Sequence, residues 1–295
     1  MTEARPLTGV MLMLAALFCF ALLDATSKHL SQIYSVPLLV WARYTLHCLM
    51  MVVVLAPSMR SKLIATRSPL TQVARGALLV AVTGFAMAAF RIMPLAEATA
   101  LLFVAPLFVV LLSGPLLGER AGALRWLAVV AGFGGTLLIA KPGGNLPITG
   151  VALALTAAAC YSLYQILTRR LSSTESTVTL LFYTALIGSV IMTLGLPWFW
   201  RGPMPGALDA LMIASLGLYG GTGHFLLIRA FRHAPVSTLS TFQYAQLIWA
   251  TLFGWGIYHQ LPDAPAILGM LIVVGSGLTV ALGERRSRSA PAQSQ

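Results

Sequence analysis

Charge is scarce in this chain. Only 9% of its 295 residues are charged and eight are acidic, against roughly 25% charged in soluble domains. Too few polar groups remain to coat a folded chain of this length in water. Cysteine is rare as well. Cys19, Cys48 and Cys160 fall in apolar stretches, with no CxxC and no pair flanking a loop. That spacing excludes a disulfide framework and gives no metal-ligand cluster. There is no HExxH, GxSxG or Walker A loop, and no carboxylate pair placed for acid–base work. Neither an enzyme nor ATP-driven transport by this chain alone has a basis, and no cofactor is implied. Long linkers are missing too. Only 57–72 stands out, as a basic loop, and the tail at 284–295 reads as disordered.

Apolar sequence is what the chain has instead. Hydrophobic residues make up 58% of it, and about 20 mainly apolar residues suffice for one membrane-spanning helix. Ten stretches qualify: 8–28, 36–56, 73–92, 95–117, 124–140, 148–168, 178–198, 208–230, 236–258 and 263–283. The first follows Arg5 as a secretory signal would. Its apolar run exceeds the roughly 7–15 residues of a signal core, and no small-x-small site closes it, so it reads as a retained helix.

The chain also matches itself, without a gap, when shifted by 141 residues. Pro6-Leu7-Thr8-Gly9-Val10 falls on Pro147-Ile148-Thr149-Gly150-Val151, Cys19-Phe20 on Cys160-Tyr161, and Phe90-Arg91 on Phe231-Arg232. Each unit, 8–140 and 148–283, holds five apolar stretches. Because five is odd, two such units in one chain enter a membrane from opposite sides. The expected fold is an all-α integral membrane protein of ten transmembrane helices, an inverted five-plus-five repeat around a central cavity. Secondary transporters are built this way.

The formal net charge of +11 is not spread evenly. With the N-terminus inside, the cytoplasmic loops hold Arg5, Arg60, Lys62, Arg67, Arg75, Arg120, Arg125, Arg169, Arg170, Arg229, Arg232, Arg285, Arg286 and Arg288. The other face holds Lys28, Arg91, Lys141 and Arg201, and Arg43 lies within a span. This bias is the positive-inside rule, and it puts both termini in the cytoplasm. The basic residues are therefore a topology signal, not a nucleic-acid surface.

Polar side chains inside the spans are where function is sought, because ionisable groups there are costly and face a partner or a cavity. Asp24, Arg43, Arg91 and Glu97 gather at the outer ends of the first four spans. They form a candidate gate in which the two carboxylates balance the two arginines. A second reading has Asp24 and Arg43 simply pairing to hold two helices together. The 141-residue shift turns Asp24, Arg43 and Glu97 into Gln165, Thr184 and Thr238, so the opposite end is polar without charge. Candidate substrate-binding residues are Tyr44 and His47 beside Arg43, Tyr161, Tyr164 and Gln165 on one helical face, and His224. Gln243, Tyr244, Gln246 and Trp249 complete the set, with Gln243 and Gln246 sharing a face by their spacing. Amides, phenols and indoles of this kind suit a small zwitterion or neutral metabolite; the same residue types also serve as bonds between helices. Glycines 132, 134, 135, 269, 275 and 277 allow the fifth and tenth spans to pack together or to build a dimer. Pro106 and Pro115 are candidate hinges in the fourth span.

Ten spans, a self-matching half, and Pro115-Leu116-Leu117-Gly118-Glu119-Arg120 ahead of a glycine-rich fifth span resemble the drug/metabolite transporter superfamily with EamA-type repeats. The second copy departs from the pattern, with His259-Gln260 in place of Gly-Glu. The resemblance covers 8–283 and is closest in kind to the YddG-type exporters of aromatic and other amino acids. It implies a ten-helix basket whose cavity is lined mainly by helices other than the fifth and tenth. It also implies export of amino acids, aromatic or hydrophobic, across a bacterial inner membrane by alternating access. The alternative on the same scaffold is a multidrug or other-metabolite carrier, for example of nucleotide sugars. Uniport and proton antiport both stay open, as do monomer and homodimer.

Overall fold

The computed structural model describes residues 6–59, 63–117, 122–141, 144–171, 174–199, 203–233, 239 and 242–289. These form α1 (Pro6–Leu30), α2 (Val36–Met59), α3 (Pro69–Ile92), α4 (Leu95–Leu102), α5 (Ala105–Leu117) and α6 (Ala123–Ala140). They continue as α7 (Ile148–Leu171), α8 (Thr177–Phe199), α9 (Ala207–His233), α10 (Ala245–Tyr258) and α11 (Ala264–Ser289), with no strand among the described residues. Helices are what such a sequence must form, since an apolar surround leaves backbone groups only one another to bond. Among the described residues, seven stretches are long and apolar enough to cross a membrane: Leu7–Leu30, Val36–Leu55, Pro69–Ile92, Leu95–Leu112, Ile148–Leu171, Thr177–Phe199 and Ala207–Leu227. Trp126–Ala140 and Ala264–Thr279 are shorter apolar helices.

Two expected spans are not continuous helices. The 95–117 stretch breaks at Phe103 and Val104, where the backbone tightens to Phe103 N–H to Ala100 O (3.1 Å) and Val104 N–H to Leu101 O (3.2 Å). Pro106 is the cause: it has no N–H for the Leu102 carbonyl and disfavours helical geometry in the residue before it. The 236–258 stretch is interrupted by a turn at Gln243 and Tyr244, closed by Gln246 N–H to Gln243 O (3.1 Å), and a regular helix runs on from Ala245. At about 1.5 Å per residue, α4 places its break roughly 12 Å from its start, well inside the span. The two breaks meet. The Phe103 and Tyr244 rings, 141 positions apart in sequence, lie 5.1 Å from centroid to centroid.

The helices pair antiparallel in a repeated register. Along α1 and α9, the ring of Phe20 fills the space beside Gly223, and Leu23 that beside Gly220. Along α3 and α7, Met93 sits against Gly150 and Arg75 reaches Thr168. Adding 141 to an α1 residue, and subtracting 141 from its α9 partner, converts the first register into the second. In the same antiparallel sense α2 lies on α8, with Trp41 bonded to Thr193 and Thr45 to Ser189. The α6 and α11 helices cross with Gly135 and Gly269 in backbone contact. The glycine-bearing helices therefore pack on each other within one chain.

Candidate functional site

The end of the bundle where α1 starts is called near, and the end where it finishes far. Between them, α1, α2, α9 and α10 bring together side chains that are remote in sequence. Asp24 of α1 accepts a hydrogen bond of 2.9 Å from Nε2 of Gln246. Gln246 stands in the first turn of α10, directly after the turn at Gln243 and Tyr244, so the bond ties α1 to the start of α10. Arg43 of α2 lies within electrostatic reach of Asp24, His47 and His224. His47 stacks on His224 of α9, with ring centroids 5.6 Å apart and planes 8° from parallel, and Phe20 meets His224 edge-on at 5.0 Å. A second aromatic group joins α1 to α10: Phe18 meets Trp249 edge-on at 5.0 Å and Phe253 at 5.8 Å. The centre thus offers a carboxylate, a guanidinium, an amide, two imidazoles and an aromatic shelf.

Other expected site residues are occupied elsewhere. Tyr44 is buried in packing, its hydroxyl donating to Leu79 O (2.9 Å) and bonded to Thr83 (2.8 Å). Tyr244 is wedged against α11, where its hydroxyl fills the space a side chain on Gly277 would take. Tyr161 stacks on Tyr164 (5.8 Å), as their spacing on one face requires. Tyr164 accepts a 3.1 Å bond from Arg75 and lies beneath its guanidinium. Gln165 is half-buried on the same helix. Gln243 is exposed in the turn ahead of α10, whereas Gln246 is half-buried in its first turn. Thr238, the counterpart of Glu97, lies outside the described residues.

At the far end, the cations near Glu97 are not the expected ones. Arg91 is exposed and, among the described residues, forms no ion pair with Glu97. Lys28 and Lys141 are the cations whose fields reach the buried Glu97, one of whose oxygens has no hydrogen-bond partner. The Lys28 ammonium donates to the last carbonyls of α3, Phe90 O (2.8 Å) and Met93 O (2.5 Å), as cations commonly do at helix C-termini. Lys141 pairs with Asp263, joining the end of α6 to the start of α11. Cavities of about 260 Å³, lined by Lys28, Gln32, Arg91 and Tyr258 among others, and about 340 Å³, lined by Glu97, Lys141 and Asp263 among others, open at this far end.

Arg75 is the residue that sequence reasoning misjudged most. As a loop charge it would be solvated; in the fold it is 0% exposed. Its guanidinium donates to Tyr164 Oη (3.1 Å), Thr168 Oγ1 (3.4 Å), Gln72 Oε1 (3.2 Å) and Leu180 O, binding α3 to α7 and α8. The available sign was Gln72, three residues earlier and so on the same helical face.

The EamA-like transporter family matches residues 7–141 and, separately, 148–282, and the chain belongs to that family. An S-adenosylmethionine uptake transporter of Rickettsia prowazekii is 26% identical over 234 residues, 78% of each chain. A riboflavin transporter of Vibrio cholerae is 28% identical over 92% of this chain and 91% of its own length. A pseudopaline exporter of Pseudomonas aeruginosa is 26% identical over 90% and 93%. A crystal structure at 21% identity superposes with a TM-score of 0.61, covering 93% of this chain and 99% of the other, and shares the fold. The chain is a multi-pass membrane protein of a transporter family.

Proposed function

We propose that this EamA-like family member is a secondary carrier of amino acids with aromatic or hydrophobic side chains, moving them out of the cytoplasm across a bacterial inner membrane. Its halves, 8–140 and 148–283, are inverted with respect to each other, and both termini are cytoplasmic. The observation that carries the reading is the Asp24–Gln246 bond at the start of α10, within electrostatic reach of an intramembrane Arg43. Half-helices that begin inside a span, next to opposite charges, are how secondary carriers hold small charged solutes near the bilayer midplane. The antiparallel register between the two sequence units supports the inversion, and the basic near-end loops support the orientation.

The relatives fit a small organic substrate and do not agree on one. S-adenosylmethionine has an amino-acid head, which favours the zwitterion reading. One relative is named for uptake and another for export; outward movement follows the exporter type that the sequence resembles. A lipophilic cation is the second reading, favoured by the aromatic group of Phe18, Trp249 and Phe253; Arg43 opposes it.

The test is transport by purified protein in proteoliposomes, loaded in turn with labelled phenylalanine, leucine, a lipophilic cation and riboflavin. Amino-acid flux that falls about tenfold in Gln246→Ala, with the protein still folded, supports the reading. Flux of the cation or riboflavin alone overturns it. Comparing inside-out with right-side-out vesicles decides the direction.

A further inference from the structure

The basic side chains in and beside the spans are treated very differently by their surroundings. Lys28 has two carbonyl acceptors, Arg75 has four acceptors, and Lys141 has Asp263. Arg43, half-buried in α2, has no hydrogen-bond acceptor and no ion pair among the described residues. The adjacent Tyr44 ring lies 5.9 Å from its guanidinium carbon. A guanidinium has five donors and does not lose its charge in a protein, so it needs an acceptor, and the described residues offer it none.

The obvious acceptor is present and engaged elsewhere. Asp24 lies within electrostatic reach of Arg43 yet bonds Gln246, and no ion pair joins the two charges. The α9 helix presents glycine to this point: even a Cβ built on Gly220 would stop 3.9 Å from Arg43 Nε. Among the described residues, Arg43 is thus a cation without an acceptor, within electrostatic reach of a carboxylate bonded to Gln246, and the two form no ion pair.

We infer that Arg43 is the anchor for the carboxylate of the transported amino acid, and that Asp24 with Gln246 receives its ammonium group. The inference rests on the amino-acid reading above and adds which end of the substrate each residue holds. Arginine suits the role because its planar fork matches a carboxylate with two parallel hydrogen bonds, which a lysine cannot do. With the head group fixed between α2 and α1, the substrate side chain extends toward Phe18, Trp249 and Phe253. Substrate then replaces the missing ion pair, so an empty and a loaded carrier differ in how α1, α2 and α10 are tied together.

The experiment is displacement of labelled phenylalanine from the full-length protein in lipid nanodiscs, with phenylalanine, phenylalaninamide and 3-phenylpropionate as competitors. Wild type is expected to bind the amide, which lacks the carboxylate, at least tenfold more weakly than phenylalanine. Arg43→Gln should bring phenylalanine down to the level of the amide and leave the amide unchanged. Asp24→Asn should instead abolish the preference over 3-phenylpropionate, which lacks the ammonium. Equal weakening of phenylalanine and its amide in Arg43→Gln would make Arg43 structural and overturn the assignment. If Arg43→Gln does not fold, Arg43→Lys decides: discrimination must drop, and unchanged discrimination overturns it. Failure of wild type to bind any of the three removes the amino-acid reading itself, and the assignment with it, before any variant is compared.

Discussion

Arg75 and Arg43 are the same residue type on neighbouring helices of one bundle, and the fold surrounds them in opposite ways. Arg75 is wholly buried and reaches Gln72 on its own helix and acceptors on α7 and α8; Arg43 is half-buried and reaches none among the described residues. Burying a cation without compensation is expensive in any protein interior. The first arginine is compensated by neutral oxygens alone, so its energy is realised in the folded state. The second is left incomplete. Charge inside a membrane is thus not one kind of signal, and the acceptors around each side chain set these two arginines apart.

The comparison breaks most visibly in stability. Arg75→Leu should remove the tie between α3 and the α7–α8 pair and strand the Gln72 and Tyr164 polar groups. Hydrogen bonds to a charged group are worth about 1.5–3 kcal/mol each, while bonds between membrane helices average only about 0.6. A loss of about 3 kcal/mol for the cluster lies between those bounds. Unfolding in mixed micelles should register it as a large drop in midpoint. Arg43→Gln has no bond to lose, so its change should stay under about 1 kcal/mol. Equal losses would erase the distinction between the two arginines.

The next largest effect is steric. A Cβ on Gly135 would sit 2.8 Å from the Gly269 carbonyl oxygen, and one on Gly269 would meet Gly135 backbone in return. Backbone cannot give way as a side chain can. Gly135→Val should therefore force α6 and α11 apart and cost about 2 kcal/mol, within the usual range for overpacking. Gly134, with open space around its Cβ position, should accept alanine with little change. Thermal unfolding of the two variants side by side measures the contrast.

How much of this could be read from the chain depends on whether the cause is local. The helices could: apolar runs at 36–56, 73–92 and 148–168 become Val36–Met59, Pro69–Ile92 and Ile148–Leu171. The break before Pro106 had its sign in the sequence, since proline removes a donor. The break before Ala245 did not, because no proline marks it and hydropathy does not record which carbonyls go unbonded. The site was half legible. Asp24, Arg43 and Gln246 were recognisable as polar groups in apolar surroundings, yet the pairing of Asp24 with Gln246 joins helices 222 residues apart. Sequence spacing suggested Asp24 with Arg43 instead. Arg75 was lost for the same reason: three of its four acceptors belong to α7 and α8, and no local pattern announces them.

Gln246→Ala separates stability from transport at the centre. It deletes one bond between α1 and α10, worth about 0.6 kcal/mol, so unfolding should barely shift while amino-acid flux falls about tenfold. A stability loss matching the transport loss would reduce Gln246 to a structural strut.

The smallest effect is expected at the far end. Lys141 and Asp263 join α6 to α11, but the Asp263 side chain is 58% exposed and that of Lys141 29%. Ion pairs so open to water contribute under about 1 kcal/mol and weaken with salt. Asp263→Asn should accordingly leave the unfolding midpoint within error at high salt and lower it slightly at low salt. The lysine it frees carries the more telling consequence. Released from Asp263, Lys141 has Glu97 within electrostatic reach, a carboxylate with one oxygen unpartnered. Asp263 ties α6 to α11, whereas Glu97 belongs to α4 of the same sequence unit, so an exchange of acceptor would loosen the far end. A cysteine placed near Ala266 should then label faster in Asp263→Asn than in the parent, and Glu97→Gln added to it should cancel the gain. Identical labelling rates in all three would leave Lys141 as an ordinary surface charge.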